Sequence, residues 1–332
     1  MATINASYLD LVDLFKQQEN GKVTATIIEI LAETNEILSD LVTVECNEGT
    51  RHKSGIRTGI PTPTWRRLYE GVQPTKSTVK QVHDTTGMAE AWSEIDAELL
   101  KLSGDAAQFR MNESKAFLEG MNQEMASKLF YGNTDTAPEE FLGLAPRFDL
   151  LSAENGDQIV DAGGSGSDNT SVWFIVWGER TVHALYPKGT RAGLEHQALP
   201  EETKTNSDGS LLRVVRDRFM WHIGLTVRDW RYVVRVANID VSDLAAGSVD
   251  IYKWMRKGYY RLPAGFRGAG RAAIYCNAEV LEALDAKSTS GHSGTASVYL
   301  SREEVEGKEV LKYRGIVLRR CDAILNTEAR VV

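Results

Sequence analysis

The sequence has little of what marks disulfide-bonded, zinc-binding or membrane proteins. Its three cysteines, Cys46, Cys276 and Cys321, are widely spaced and form no C-x-x-C pair, which indicates buried thiols in a reducing compartment. The six histidines occur singly, without the H-x-x-x-H or H-E-x-x-H spacing of zinc sites. The longest apolar run, residues 172–177, is far shorter than the ~20 residues of a membrane helix. The N-terminus also lacks the charged and apolar segments of a signal peptide. We therefore expect no metal site and no membrane association.

Catalytic motifs are missing or incomplete. Residues 163–166, Gly-Gly-Ser-Gly, lack both the spacing and the lysine of a phosphate-binding loop. Residues 291–295, Gly-His-Ser-Gly-Thr, resemble a nucleophile elbow but end in Thr295 instead of glycine. The pair His83-Asp84 lies where a helix is predicted to begin, so a capping role is favoured over acid–base chemistry. We predict no catalytic, cofactor-binding or metal-binding residue and no cofactor. The main alternative is a soluble α/β enzyme whose site forms only in three dimensions.

The bulk composition is that of an ordinary folded protein. The chain has 332 residues, 42% of them hydrophobic and 25% charged, enough for one large or two medium domains. The formal net charge of −8 argues against a protein that binds nucleic acid with its whole surface.

The N-terminal segment is predicted to form two amphipathic helices, at residues 6–19 and 24–41. Neither has an apolar partner within the segment. Each must therefore bury its apolar face against the main body or a neighbouring subunit.

Residues 50–82 differ sharply in composition from the rest of the chain. Seven cations and one acid give this segment a net charge of +6, and it is rich in Thr, Gly and Pro but poor in apolar runs. Such a stretch cannot build a core of its own. The cations are Arg51, Lys53, Arg57, Arg66, Arg67, Lys76 and Lys80.

Two structures fit this basic segment. One is a solvated, partly disordered loop. The other is an extended β-hairpin arm that becomes ordered on an acidic surface of another copy, where opposite charges would fix the register of assembly. Nucleic-acid binding is less favoured because only Trp65 and Tyr69 are available for base stacking. A monomeric binding module with a basic loop is a further alternative.

Two helical patterns follow the basic segment. Met88, Trp92, Ile95 and Leu99 recur at steps of three and four, predicting a helix from residue 88 onwards. A second stripe predicts a helix over residues 105–130, roughly 39 Å long. Gly132 is placed to cap that helix in the left-handed conformation. The second stripe consists of Phe117, Met121, Met125 and Leu129.

The second half of the chain mixes strands and helices. Residues 172–177 and 181–186 are predicted to form a hairpin, and residues 187–209 a loop. Strict alternation predicts a strand at 219–227, with 232–236 as its partner.

Further elements are predicted nearer the C-terminus. A short helix is expected over residues 249–257, ending at Gly258. A strand at 272–276 leads to Asn277, which can cap a helix over 278–286. Closing strands are predicted at 297–300 and 310–318.

Two segments resemble a known family. The long helix, then Tyr131-Gly132-Asn133, then Pro-Glu-Glu-Phe-Leu-Gly-Leu at residues 138–144, is similar to major capsid proteins of tailed bacteriophages that share the HK97-like fold. Residues 313–318, Tyr-Arg-Gly-Ile-Val-Leu, followed by Cys-Asp-Ala-Ile at 321–324, resemble the closing strand and ending of such proteins.

The resemblance implies an α+β HK97-like capsid fold in which the 105–130 helix is the long spine helix of the peripheral domain. Strands 211–237 would belong either to the axial domain or, as returning strands, to the peripheral one. The implied parts are an N-terminal arm (1–48), an extended basic loop resembling the E-loop (49–87), a peripheral domain (88–144), an axial domain (145–295), and closing strands with the C-terminus (296–332).

The same resemblance implies a structural function. Copies would self-assemble into pentamers and hexamers of an icosahedral phage head that encloses double-stranded DNA without sequence-specific binding. A portal, a separate scaffolding protein and, as a further candidate, a cement protein would be partners. The protein would be found in the virion after assembly in the host cytoplasm, and the seven cations of the basic segment would be its inter-subunit contacts.

Overall fold

The computed structural model describes Leu9 and residues 18–19, 22–23, 33–289, 300–305 and 308–332. The chain forms two compact units, each drawn from separated stretches of sequence. The first unit consists of Met1–Thr34, Met88–Ala126 and Gly193–His222. The second unit consists of Asn35–Gly87, Ser127–Ala192 and Ile223–Val332.

The described residues contain seven α-helices and sixteen β-strands. The helices are α1 (Ile37–Asp40), α2 (Ala97–Leu102), α3 (Ala106–Tyr131), α4 (Val241–Ala245), α5 (Ile251–Arg261), α6 (Phe266–Ala269) and α7 (Ala278–Thr289). The strands are β1 (Gln18–Glu19), β2 (Lys22–Val23), β3 (Thr43–Glu45), β4 (Arg51–Gly59), β5 (Thr78–Asp96), β6 (Ile159–Asp161), β7 (Asn169–Trp177), β8 (Val182–Tyr186), β9 (Leu194–Ala198), β10 (Glu202–Thr205), β11 (Leu211–Val227), β12 (Val233–Asp240), β13 (Arg271–Cys276), β14 (Leu300–Val305), β15 (Lys308–Tyr313) and β16 (Ile316–Arg320).

Strand β7 is the centre of the second unit. All nine of its residues are buried, and residues 172–177 form a continuous apolar run instead of an alternating pattern. It pairs antiparallel with β12 on one side and β13 on the other. β16 runs parallel to β13, and β15 and β14 continue the sheet as an antiparallel meander. Side chains of α4, α5 and α7 pack on this sheet, with Leu244, Met255 and Val280 in its core.

The first unit has a smaller core. Ile95, Leu99, Leu100 and Phe109 from β5, α2 and α3 pack with Val215 of β11. β9 and β10 pair antiparallel with β11. The prediction of a loop over residues 187–209 was therefore wrong. These polar strands lacked an apolar pattern because most of their residues are exposed.

The long helix was predicted correctly. α3 runs from Ala106 to Tyr131, and Met121, Met125 and Leu129 are buried as the stripe requires. The predicted role of Gly132 was wrong, because its φ is not positive. A Cβ at Gly132 would lie 2.5 Å from the carbonyl oxygen of Phe141. Glycine is needed there because two backbone segments approach closely.

The prediction of a helix from residue 88 onwards was wrong for residues 88–96. That stretch is the second part of strand β5, and Met88 and Trp92 are half exposed instead of buried. Ion pairs with distant residues hold it extended: Arg218 pairs with Glu90 at 2.9 Å, and Arg216 with Glu94 at 2.7 Å. Only α2 keeps the predicted helical form.

Two predicted strand pairings were also wrong. β7 and β8 share a single pair, Trp177↔Val182, instead of a hairpin ladder. β8 pairs with the end of β11 and with β3. β12 pairs with β6 and β7, whereas 232–236 had been predicted to pair with 219–227.

Helix α5 does not end at Gly258 but continues to Arg261. Gly258 lies where the helix contacts the core, and a Cβ there would be 2.9 Å from the Phe174 ring. By contrast, the N-cap role of Asn277 is confirmed, since its Oδ1 accepts the backbone N–H of Val280 at 3.0 Å.

The predictions for the two ends of the chain are only partly covered by the described residues. The helix predicted at residues 6–19 lies mostly outside the described residues, but Gln18–Glu19 pairs as a strand with Lys22–Val23. Of the helix predicted at 24–41, the described part contains only Ile37–Asp40. Of the strand predicted at 297–300, only Leu300 is described, where β14 begins. The single strand predicted at 310–318 was wrong, because a turn at Arg314-Gly315 divides it into β15 and β16.

Candidate functional site: the basic arm

The basic segment forms a two-stranded root and an exposed tip. β4 pairs antiparallel with the first part of β5, from Arg51↔Thr85 to Gly59↔Thr78. Between these strands, residues 60–77 carry no helix or strand. Trp65 and Tyr69 in this tip are fully exposed, at 101% and 104%. The segment, named the basic arm below, thus exposes large apolar side chains beside its charges.

The structure does not gather the seven predicted cations into one site. They are spread along the arm, on its strands and in its tip. None of the seven makes a salt bridge with a residue in the described part of the chain. On the strands lie Arg51, Lys53, Arg57 and Lys80, and in the tip lie Arg66, Arg67 and Lys76.

A buried ion pair fixes the root of the arm. Asp84 of β5 is 4% exposed, and its Oδ1 accepts a hydrogen bond from Arg147 Nη2 at 2.7 Å. The same guanidinium donates to the carbonyl oxygens of Leu142 and Leu225. The Thr226 hydroxyl donates to the second oxygen of Asp84. Because Asp84 and Thr226 are buried and the Arg147 side chain is only 12% exposed, this network fixes the position of β5 at the root of the arm.

Two buried imidazoles lie beside this network. His52 of β4 and His183 of β8 meet edge to face, with ring centroids 5.6 Å apart. The pKa of His183 is lowered to about 4, chiefly by burial and also by His52 and Arg228, while the Gly178 backbone and Asp84 oppose the shift. The pKa of His52 is lowered chiefly by burial as well. Both rings are therefore neutral at pH 7.

These root residues were not predicted as a group. Asp84 had been interpreted as a helix cap or a member of an acid–base pair with His83, but it lies in a strand and binds Arg147. The root residues come from five separate segments, so no local spacing connects them. The available signal was weak: a lone Asp and a lone His inside a Thr-rich, extended stretch.

The segment that follows α3 folds back on the end of the helix. The N–H of Gly143 donates to the Gly132 carbonyl at 2.8 Å, and Lys128 pairs with Glu140 at 2.5 Å. Tyr131 donates to Glu328 Oε1 at 2.5 Å, which ties the C-terminal residues to the same helix end. The chain just after the second resembling segment is therefore bonded to the helix end where the first one begins.

The described residues include no group of three His, Cys, Asp or Glu arranged to hold a metal ion. In the glycine-rich loop at residues 163–166, the N–H of Gly163 donates to Asp161 and that of Gly164 to the Asn238 carbonyl. The loop thus uses its backbone donors internally. The motif at residues 291–295 lies outside the described residues. No helix among the described residues is long and apolar enough to cross a membrane.

Comparison with known proteins decides the family. The family model described as "Major capsid protein GP7" matches residues 18–332. The chain belongs to this major capsid protein family. A structure of bacteriophage Epsilon15 is 38% identical, with a TM-score of 0.77, and the match covers 100% of this chain and 99% of that chain. The bacteriophage JBD30 capsid is 8% identical with a TM-score of 0.51, covering 89% of this chain and 92% of that one, and shows similarity of fold alone. Comparison with curated proteins gave no significant match.

The major capsid protein has the α+β HK97-like fold that its sequence resembles. It is a structural protein of a tailed phage and not an enzyme. Its relatives form homo-oligomeric shells, so the protein belongs to the virion. The buried root and exposed arm are accordingly features of a shell subunit.

Proposed function

We propose that the basic arm is the principal inter-subunit contact, lying across a neighbouring copy within pentamers and hexamers of an icosahedral head that encloses double-stranded DNA. The observation that supports this proposal is the combination of seven cations without acidic partners among the described residues and fully exposed aromatic side chains at the tip. A folded unit that leaves such a surface uncovered gains stability when a second copy covers it.

Charge supports a sibling molecule as the partner. The arm carries +6 in a chain whose net charge is −8, so the remainder of each copy is strongly acidic. Opposite charges attract over about a Debye length, ~10 Å at 0.1 M salt, and fix the register of docking. Many such contacts per shell add through multivalency even when each is weak.

We also propose how the rest of the chain is divided into domains. We assign residues 88–144 to the peripheral domain with the spine helix and 145–295 chiefly to the axial domain, with 1–48 as an N-terminal arm and 296–332 as closing strands. A portal, a scaffolding protein and a cement protein are the proposed partners, and assembly takes place in the host cytoplasm.

The test is charge reversal at the tip. Arg66→Glu combined with Arg67→Glu should leave the subunit folded, because both side chains are exposed, but should prevent shell formation seen by electron microscopy. The matched control reverses two exposed cations outside the arm, Lys188→Glu with Arg191→Glu, and should still form shells. Normal shells from the tip variant would refute the proposed role of the arm.

A further inference from the structure

A second basic region lies far from the arm in sequence. Between Ile251 and Ala278 the chain contains no acidic residue, although the protein as a whole is acidic. Most cations of this stretch belong to helix α5 and the residues just after it. Arg314, in the turn between β15 and β16, contacts the same helix.

Helix α5 separates an apolar face from a charged one. Ile251 and Met255 are fully buried in the core of the second unit. The opposite face exposes Lys253, Arg256 and Lys257. These positions follow i, i+3 and i+4 spacing, which places them on one side of the helix. Arg261, two turns along, extends the same row.

Aromatic rings hold several of these cations in place. The Trp254 ring lies 5.0 Å from Lys253 Nζ and 4.3 Å from Lys257 Nζ. The guanidinium of Arg314 lies 5.2 Å from the rings of both Tyr259 and Tyr260. Such cation–π contacts position charges without neutralising them.

The positive charge of this face is not balanced by carboxylates. None of the six cations makes a salt bridge with any residue that the structure describes. Arg261 donates to the backbone carbonyl of Ile159, and Arg267 to that of Arg314, contacts that leave the charge intact. The six are Lys253, Arg256, Lys257, Arg261, Arg267 and Arg314.

We propose that this face, here called the α5 face, binds the phosphate backbone of nucleic acid without regard to sequence. From Lys253 to Arg261 the helix spans about 12 Å, a length over which one strand of duplex DNA presents about four phosphates. The number of cations on the row thus matches the number of charges it would meet. Each of the rings of Trp254, Tyr259 and Tyr260 already has a cation 4.3–5.2 Å from its centre, which favours contact with the phosphate backbone over base stacking.

An acidic protein surface is the less favoured partner. Protein interfaces have apolar centres and are depleted of lysine. On the α5 face, Tyr260 is the one large apolar side chain that is mostly exposed, at 71%. A surface composed of charges with almost no apolar centre suits a polyelectrolyte better than another folded domain.

The test uses the full-length, unassembled protein and a labelled 20-base-pair duplex of arbitrary sequence, with anisotropy measured from 50 to 200 mM NaCl. The variant Lys253→Gln/Arg256→Gln/Lys257→Gln removes three charges from the α5 face. The matched control Arg66→Gln/Arg67→Gln/Lys76→Gln removes three from the basic arm. A third variant, Lys253→Arg/Lys257→Arg, keeps the charge. Circular dichroism checks that each variant is folded.

We expect the α5-face variant to lose about tenfold or more in affinity at 50 mM salt, and its log–log salt slope to fall by about three. The arm control and the charge-keeping variant should bind as the parent does. Unchanged binding by the α5-face variant, or loss in the arm control alone, would overturn the proposal. So would a poly-glutamate peptide that binds the parent as tightly as the duplex, since that would indicate an acidic protein partner.

Discussion

Acidification should weaken the second unit through its buried imidazoles. His183 is fully buried, and neither ring nitrogen makes a hydrogen bond of normal geometry. The charged or titratable groups that face it are His52, Asp84 and Arg228. Because the folded chain holds this imidazole neutral, protonation must favour the unfolded state.

The size of the effect follows from the two pKa values. The ordinary pKa is 6.5 and burial lowers the pKa of His183 to about 4 in the folded protein. Above pH 6.5 the imidazole is neutral in both the folded and the unfolded state, so its titration takes nothing from the free energy of unfolding. As pH falls from 6.5 towards 4, only the unfolded chain takes up the proton, and about 3 kcal/mol is lost in total. Between pH 7.5 and 4.5 the loss is about 2.5 kcal/mol.

The assay is urea unfolding of the unassembled chain at pH 7.5 and 4.5, for the parent and for His183→Phe. Phenylalanine cannot take up a proton, so the free energy of unfolding of the variant should fall by about 2.5 kcal/mol less than that of the parent over this interval. His222→Gln is the matched control, since His222 lies partly exposed, and it should follow the parent. An equal loss in parent and His183→Phe would refute the reasoning that burial holds this ring neutral.

Two further substitutions test the packing of the second unit. Asp84→Ala leaves the mostly buried Arg147 charge without its partner and should cost about 3 kcal/mol in urea unfolding, so a cost near zero would contradict the ion pair. Asp84→Asn also loses the charge but keeps an acceptor for Thr226, so it should cost less than Asp84→Ala. Gly258→Ala should lower stability by about 1–3 kcal/mol because its Cβ would press on Phe174. In helix α3, a Cβ at Gly120 would have no atom within 4 Å, so Gly120→Ala should raise stability by up to about 1 kcal/mol. If Gly258→Ala also raised stability, the Phe174 ring would have to shift to make room for the added methyl group.

The sequence predicted what local periodicity determines. The stripe of Phe117, Met121, Met125 and Leu129 lies within the 26-residue helix α3, and its four-residue spacing specifies a helix by itself. The composition of the basic segment likewise indicated a stretch without its own core. Both features depend on residues that are neighbours in the chain.

Contacts between residues far apart in the chain explain where the predictions from sequence were wrong. Residues 88–96 carry a spacing that also fits a helix, but Glu90 and Glu94 bind arginines of β11 more than 100 residues away. The arm root joins His52, Asp84 and Arg147, which no local pattern connects. The charge of the α5 face was visible as an acid-free stretch, yet its clustering with Arg314 required the fold.

Cryo-electron microscopy of assembled particles would show what the tip of the basic arm contacts. We expect residues 60–77 of each copy to lie against the body of an adjacent copy, with Trp65 and Tyr69 covered there. Density showing the same residues folded onto their own chain, or exposed to solvent in an intact shell, would contradict this expectation.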